Sequence, residues 1–72
     1  MKFKVGDLVT LSAAGRKTEQ NSPVKLGFGI VIRLIANNKW PVSCQWFGGE
    51  RDEYRFKPYE LKFFKEPKEV IV

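Results

Sequence analysis

Histidine is absent from this 72-residue chain, and cysteine occurs only once, at Cys44. The commonest general base and metal ligand is therefore missing, and a single cysteine cannot form an internal disulfide. Without a histidine to activate it, Cys44 is predicted to be a small buried apolar residue rather than a nucleophile. The sequence also lacks metal-ligand spacing and a phosphate-binding glycine loop ahead of a helix. We therefore predict a protein that is not an enzyme and that carries no cofactor or metal.

Long apolar runs are absent too, and the longest falls far short of the roughly 20 residues that a membrane-spanning helix needs. At the N-terminus, Asp7 follows Met1 too closely to leave room for the apolar region of a signal peptide. Disordered and low-complexity classes do not fit, since 43% of the residues are hydrophobic and 14% are aromatic. These observations predict a soluble cytoplasmic protein that does not bind membranes.

Acidic residues are fewer than basic ones, eight against 13, which gives a net charge of +5. The excess lies before Gly48, because residues 1–49 hold seven basic and two acidic residues, whereas the remainder is balanced. An uneven positive charge favours an acidic partner such as nucleic acid. The alternative is a solvated basic surface without a specific partner.

The middle of the chain predicts a central β-hairpin. Two β-rich runs, Gly27–Ile35 and Trp40–Phe47, flank a turn at Asn37 and Asn38. Alternation assigns one apolar set to the core: Phe28, Ile30, Ile32, Leu34, Val42, Cys44 and Trp46. The charge of Arg33 assigns the other set to the outer face: Val31, Arg33, Ile35, Gln45 and Phe47.

The flanking segments complete an all-β domain over residues 1–66. A first strand lies within residues 2–11, a fourth over Glu50–Lys57 after a tight turn at Gly48 and Gly49, and a fifth over Leu61–Lys65. A single 3₁₀ turn is expected at Pro58–Glu60, before the last strand. Residues 12–25 are predicted to be a long loop. Residues 67–72 form an extension, in which Val70, Ile71 and Val72 are predicted to pair with a sheet edge or to pack in a dimer.

Four segments carry a family resemblance, and together they span nearly the whole chain: Val5–Leu11, Gly27–Leu34, Val42–Phe47 and Tyr59–Phe63. Their layout resembles small barrels of the KOW, Tudor and Mind-bomb types, and short barrel proteins widespread in tailed-bacteriophage genomes. The resemblance implies a five-stranded, strongly bent small barrel that is Src-homology-3-like.

This resemblance implies several binding functions. KOW domains bind RNA or ribosomal and transcription proteins, Tudor domains bind methylated Lys or Arg in an aromatic cage, and other barrels bind proline-rich peptides. No proline-peptide groove is assigned, because the acidic first loop of those barrels is replaced by basic Arg16 and Lys17. Part of a cage could come from Trp46, Phe47 and Tyr54 near Glu53, although alternation predicts that Trp46 and Phe47 face opposite ways.

Two binding hypotheses follow for a monomer or weak homodimer. The leading one is nucleic-acid binding, DNA or RNA, with phosphate contacts from Arg16, Lys17, Lys25 and Arg33 and base stacking on Trp40 or Phe47. The alternative is a protein partner, which in a phage setting would be a host protein complex. Its interface would be an exposed strip of Val31, Ile35, Phe47 and Phe64, rimmed by Arg33 and Arg55.

Overall fold

One antiparallel sheet of five strands organises the computed structural model, which describes residues 2–64. The strands are β1 (Leu8–Leu11), β2 (Phe28–Leu34), β3 (Val42–Phe47), β4 (Glu53–Phe56) and β5 (Leu61–Phe63). Their order across the sheet is β4-β3-β2-β1-β5, so the last strand lies beside the first. The prediction of an all-β fold is confirmed. The predicted extension over residues 67–72 lies outside the described residues.

The inner face of the sheet carries the core, as expected for alternating strands. Cys44 and Trp46 are buried, which confirms their predicted orientation, and Phe56 and Leu61 are buried as well. Phe63 is 40% exposed and lies at the margin of the core, where its ring centroid is 5.0 Å from that of Phe3. The remaining buried apolar residues are Phe3, Val9, Leu11, Val24, Val31 and Val42.

The prediction of which β2 side chains point into the core is wrong. Val31 is fully buried, whereas Ile32 and Leu34 are more than a third exposed. The reason is a β-bulge: Val31 pairs with Cys44 and Arg33 with Ser43, so that Ile32 is an extra residue. An extra residue reverses the alternation of inward and outward side chains. Arg33 therefore points outward although Val31, two residues before it, points into the core.

Gly29 explains why the first half of β2 can pack closely on β3. It pairs with Trp46, and a Cβ atom at position 29 would collide with the Trp46 ring. The absence of a side chain lets the indole cover the strand. Phe28 and Ile30, on either side of Gly29, consequently point to the outer face and are half-buried.

Residues 12–25 are not the irregular loop that was predicted. They form a short helix α1 (Ala13–Lys17) and a first 3₁₀ helix (Glu19–Val24). Ser12 begins α1, since its Oγ accepts a hydrogen bond from the Gly15 N–H at 3.1 Å. The same hydroxyl donates to the Tyr59 carbonyl at 2.7 Å, which ties α1 to the second 3₁₀ helix (Pro58–Glu60).

The connections between strands agree only in part with the predictions. The 3₁₀ turn at Pro58–Glu60 is confirmed, and Asn37 adopts a positive φ of 55° in the turn between β2 and β3. The connection from β3 to β4 runs over residues 48–52, so the predicted tight two-residue turn is wrong. A hydrogen bond from the Trp46 N–H to the Asp52 carbonyl, at 2.7 Å, closes this longer loop.

Candidate nucleic-acid interface

Three phenylalanine rings form a row on the outer face of the sheet. The Phe28 ring stacks on Phe47, with centroids 5.4 Å apart, and on Phe64, with centroids 5.3 Å apart. Phe28 and Phe47 are cross-strand partners, and the Phe64 N–H donates to the Leu8 carbonyl at 3.0 Å. Phe47 and Phe64 are 38% and 37% exposed. This phenylalanine row (Phe47, Phe28, Phe64) presents aromatic surface to solvent.

A basic groove of about 700 Å³ adjoins the row at Phe64. Among residues 2–64, three cations from separate segments, Lys2, Arg16 and Lys62, line the groove together with Thr10, Gly27, Phe63 and Phe64, and none of these described lining residues is acidic. Pairing of β1 with β5 sets Thr10 opposite Lys62. The Nζ atom of Lys2 lies 5.4 Å from the Phe3 ring centroid and 5.9 Å from that of Phe63. We call the row and this groove together the basic–aromatic face.

A second concave region, the Trp40 groove, has a volume of about 590 Å³. It is lined by Gln20, Asn21, Trp40, Arg51, Glu53, Tyr54 and Arg55. The Nζ atoms of Lys39 and Lys57 lie 5.8 and 5.9 Å from the Trp40 ring centroid. Positive charge and an accessible aromatic ring therefore occur together here as well.

The residues predicted to bind nucleic acid do not form one surface. Arg16 lines the basic groove and Phe47 belongs to the phenylalanine row, whereas Trp40 lies in the other groove. Lys17, Lys25 and Arg33 are exposed but line neither groove. Sequence reasoning missed Lys2, Phe28 and Lys62. Residues 58–72, which include Lys62, have no net charge, so the distribution of charge along the sequence did not indicate Lys62 as a binding residue.

The predicted protein interface needs one correction. Val31 is 0% exposed, because it packs in the core opposite Cys44, and it cannot contact a partner. Phe47 and Phe64 do belong to one surface, but Phe28 joins them. Ile35 is half-buried, and Arg55 lines the Trp40 groove.

An aromatic cage cannot be built from Trp46, Phe47 and Tyr54. Trp46 is 3% exposed, and its indole Nε1–H donates to the Leu26 carbonyl at 2.8 Å. The Tyr54 hydroxyl donates to the Gln20 carbonyl. The prediction that Trp46 and Phe47 face opposite ways is confirmed, since Phe47 points to the outer face. The three rings therefore do not converge on one ligand.

Cys44 is buried in the core, and this desolvation raises the pKa of its thiol from 9.0 to about 12. We expect a disulfide reagent such as DTNB to react with Cys44 very slowly at pH 8 in the native protein and rapidly in denaturant. Because the folded pKa is raised, the thiol's contribution to stability is complete below pH 9 and declines as the pH rises towards 12. Unfolding curves of wild type and Cys44→Ala across this interval measure the decline; rapid native labelling at pH 8 would contradict the burial.

Within residues 2–64, no group of three or more His, Cys, Asp or Glu side chains is arranged to hold a metal ion. In the same part of the chain, no helix is both long enough and apolar enough to cross a membrane. Searches against protein-family models, curated proteins and solved structures find no match to this chain.

Proposed function

We propose that this protein is a non-enzymatic module that binds single-stranded nucleic acid on its basic–aromatic face. The observation that carries the proposal is the junction at Phe64, where a row of stacked, part-exposed phenylalanine rings meets a groove lined by three cations. Bases stack on exposed aromatic rings, and lysine and arginine contact the phosphates between them. The three cations come from the N-terminal segment, α1 and β5.

The chemistry favours single strands over duplex. In a duplex the bases are already stacked on each other, so the phenylalanine row would have only an apolar surface to offer to the backbone. Unpaired bases can stack on Phe47 and Phe64, a contact worth about 1–3 kcal/mol per base that tolerates every base. The expected complex is therefore salt-sensitive and weakly sequence-specific.

The strand order supports a finer proposal for the fold. Pairing of β5 with β1 is the arrangement expected of a strongly bent small barrel of the Src-homology-3-like type. We propose this architecture, together with a cytoplasmic location. The fold type hosts many binding functions, so the function proposal depends on the surface residues and not on the architecture.

A protein partner is the second candidate, and a specific observation favours it. Leu8 is 37% exposed and pairs with half-buried Ile30 on the outer face, so aliphatic side chains lie close to the phenylalanine row. Apolar surface gathered on one face is typical of protein-interaction sites. A partner of this kind would depend on Leu8, Phe47 and Phe64 but would be insensitive to the loss of Arg16.

The test is a titration of labelled oligothymidylate and oligouridylate by fluorescence anisotropy between roughly 50 and 200 mM salt. Arg16→Ala is expected to weaken binding and to lower the salt slope by about 0.7. Phe64→Ala is expected to weaken binding about fivefold or more, because it removes a stacking ring. Lack of binding to both oligonucleotides at the lowest salt would overturn the proposal.

Matched controls lie close to both substitutions. Lys17→Ala removes another exposed charge one residue from Arg16 but outside the groove, and its salt slope should match that of wild type. Tyr59→Ala removes a ring that is 61% exposed and lies outside the row, and its affinity should not change. If Phe64→Ala abolishes a host-protein contact while no oligonucleotide binds, the protein-partner candidate takes its place.

A further inference from the structure

In the Trp40 groove, cations lie close to aromatic rings beside β4, which is an edge strand in the order of the sheet. Lys39 and Lys57 each lie within 6 Å of the Trp40 ring centroid, and the Arg51 guanidinium lies 5.5 Å from that of Tyr54. Arg55 also lines the groove, and Glu53 is the acidic residue among the described side chains that line it. Arg51 and Arg55 outnumber Glu53 on the lining, so the described lining has a net positive charge, and the half-buried Trp40 offers a surface on which a planar group can stack.

Hydrogen bonds hold the walls of this groove in place. The Trp40 N–H donates to Asn38 Oδ1 at 2.9 Å, and the Ile35 N–H closes the same turn by donating to the Pro41 carbonyl at 2.8 Å. On the opposite wall, the Tyr54 hydroxyl donates to the Gln20 carbonyl, which fixes the first 3₁₀ helix against β4. A ligand would meet a largely preformed site and would lose little affinity to ordering it.

We infer that the Trp40 groove is a second binding site for single-stranded nucleic acid, separate from the basic–aromatic face. The inference rests on the proposed function, and it adds that one molecule contacts two segments of nucleic acid. Among residues 2–64, no residue lines both regions: the Trp40 groove uses β4, and the basic groove uses β1 and β5, which lie at the other end of the strand order.

Nucleic acid fits the Trp40 groove better than an acidic peptide does. Carboxylates would pair with the lysines and arginines but would leave the Trp40 ring without a stacking partner. A nucleotide uses both features, since its phosphate contacts the cations and its base stacks on the indole. Gln20, which is exposed and lines the groove, adds a side-chain amide that can hydrogen-bond to a base edge.

Tryptophan fluorescence can observe this site separately. Trp46 is buried and hydrogen-bonded, so ligand-dependent changes in emission report on Trp40. We expect an unlabelled oligothymidylate of about six nucleotides to quench the emission by stacking on the indole. Calorimetry is expected to give two oligonucleotides per protein, and Trp40→Ala should reduce this number to one.

A second variant removes charge and keeps the ring. Lys39→Ala with Arg51→Ala is expected to weaken the quenching titration about tenfold and to leave binding at the basic–aromatic face unchanged. Its matched control is Lys25→Ala with Arg33→Ala, which removes two exposed cations that line neither groove. In this control, the oligonucleotide should quench the tryptophan emission with the affinity seen for the wild type. Equal weakening of the quenching titration by both pairs of substitutions would overturn the inference.

The remaining outcomes separate the two proposals. Binding of one oligonucleotide per protein with unchanged emission would overturn the second site and keep the proposed function. Absence of binding by both readouts would overturn the proposed function and the inference that rests on it. Quenching by an oligoglutamate peptide but not by the oligonucleotide would overturn the inference in favour of an acidic protein segment.

Discussion

Replacing Phe56 with alanine is expected to lower the unfolding free energy by about 3–5 kcal/mol, the range for removing a large aromatic side chain from a core. Phe56 is 0% exposed, and its ring centroid lies 5.3 Å from that of Trp46 and 5.4 Å from that of Tyr54. A domain of this length has a total stability of about 4–11 kcal/mol, so the variant would be close to unfolding. Urea denaturation followed by circular dichroism measures the loss.

Phe47→Ala is the matched control for Phe56→Ala, because it removes the same side chain from the other face of the sheet. Phe47 is 38% exposed, and about 1–2 kcal/mol is expected from the apolar area that it buries. Phe47→Ala should instead weaken oligonucleotide binding. Stable Phe56 variants such as Phe56→Leu should bind oligonucleotides like the wild type. Equal destabilisation by the two alanine variants would contradict the assignment of these phenylalanines to opposite faces.

Gly27→Ala is expected to lower the unfolding free energy by about 2–4 kcal/mol, through a left-handed backbone and an overpacked contact. Gly27 has a φ of +94°, and a Cβ atom there would collide with the Phe47 carbonyl. Relief of the collision has to separate the start of β2 from the end of β3, where Phe28 pairs with Phe47. We therefore expect weaker oligonucleotide binding as well as lower stability, measured by anisotropy and by urea denaturation.

Gly6→Ala isolates the backbone part of this effect. Gly6 has a similar φ of +99°, but nothing lies within 4 Å of the position that its Cβ would occupy. Only the backbone conformation is then unfavourable, and about 1–2 kcal/mol is expected. The difference between the two variants measures the collision at Gly27. No difference would mean that Gly27 and the Phe47 carbonyl are not in close approach.

These expectations divide the sheet between stability and recognition. Substitutions on the inner face, such as Phe56→Ala, should change stability, whereas Phe64→Ala and Phe47→Ala should act mainly on binding. A substitution at Gly27 should change both stability and binding, because Gly27 lies where the packing of β2 on β3 also orients the phenylalanine row. Urea denaturation of every binding variant therefore separates lost contacts from lost structure.

Much of the secondary structure follows from the sequence alone. Period-2 alternation is a local property, and it correctly assigns Val42, Cys44 and Trp46 to the core. The 3₁₀ helix at Pro58–Glu60 follows from the fixed φ of proline. The sequence also suggested Phe47 and Phe64 as surface aromatics, and both are more than a third exposed.

Other features depend on contacts between distant residues. The bulge at Ile32 arises from the register of β2 on β3, and it decides that Val31 is buried. The helix α1 is too short to be stable by itself, and it depends on the bonds that join Ser12 to Tyr59 and Glu60.

The basic–aromatic face is the clearest product of tertiary structure. The sequence by itself determined that the chain is basic, rich in aromatic residues and built from short strands. It could not bring Lys62 to Arg16, because residues so far apart in the chain are joined by the pairing of β5 with β1 and by the bonds of Ser12 to Tyr59 and Glu60. Alternation is local, whereas strand pairing and register are not, and for that reason tertiary structure alone decided which charges and rings meet.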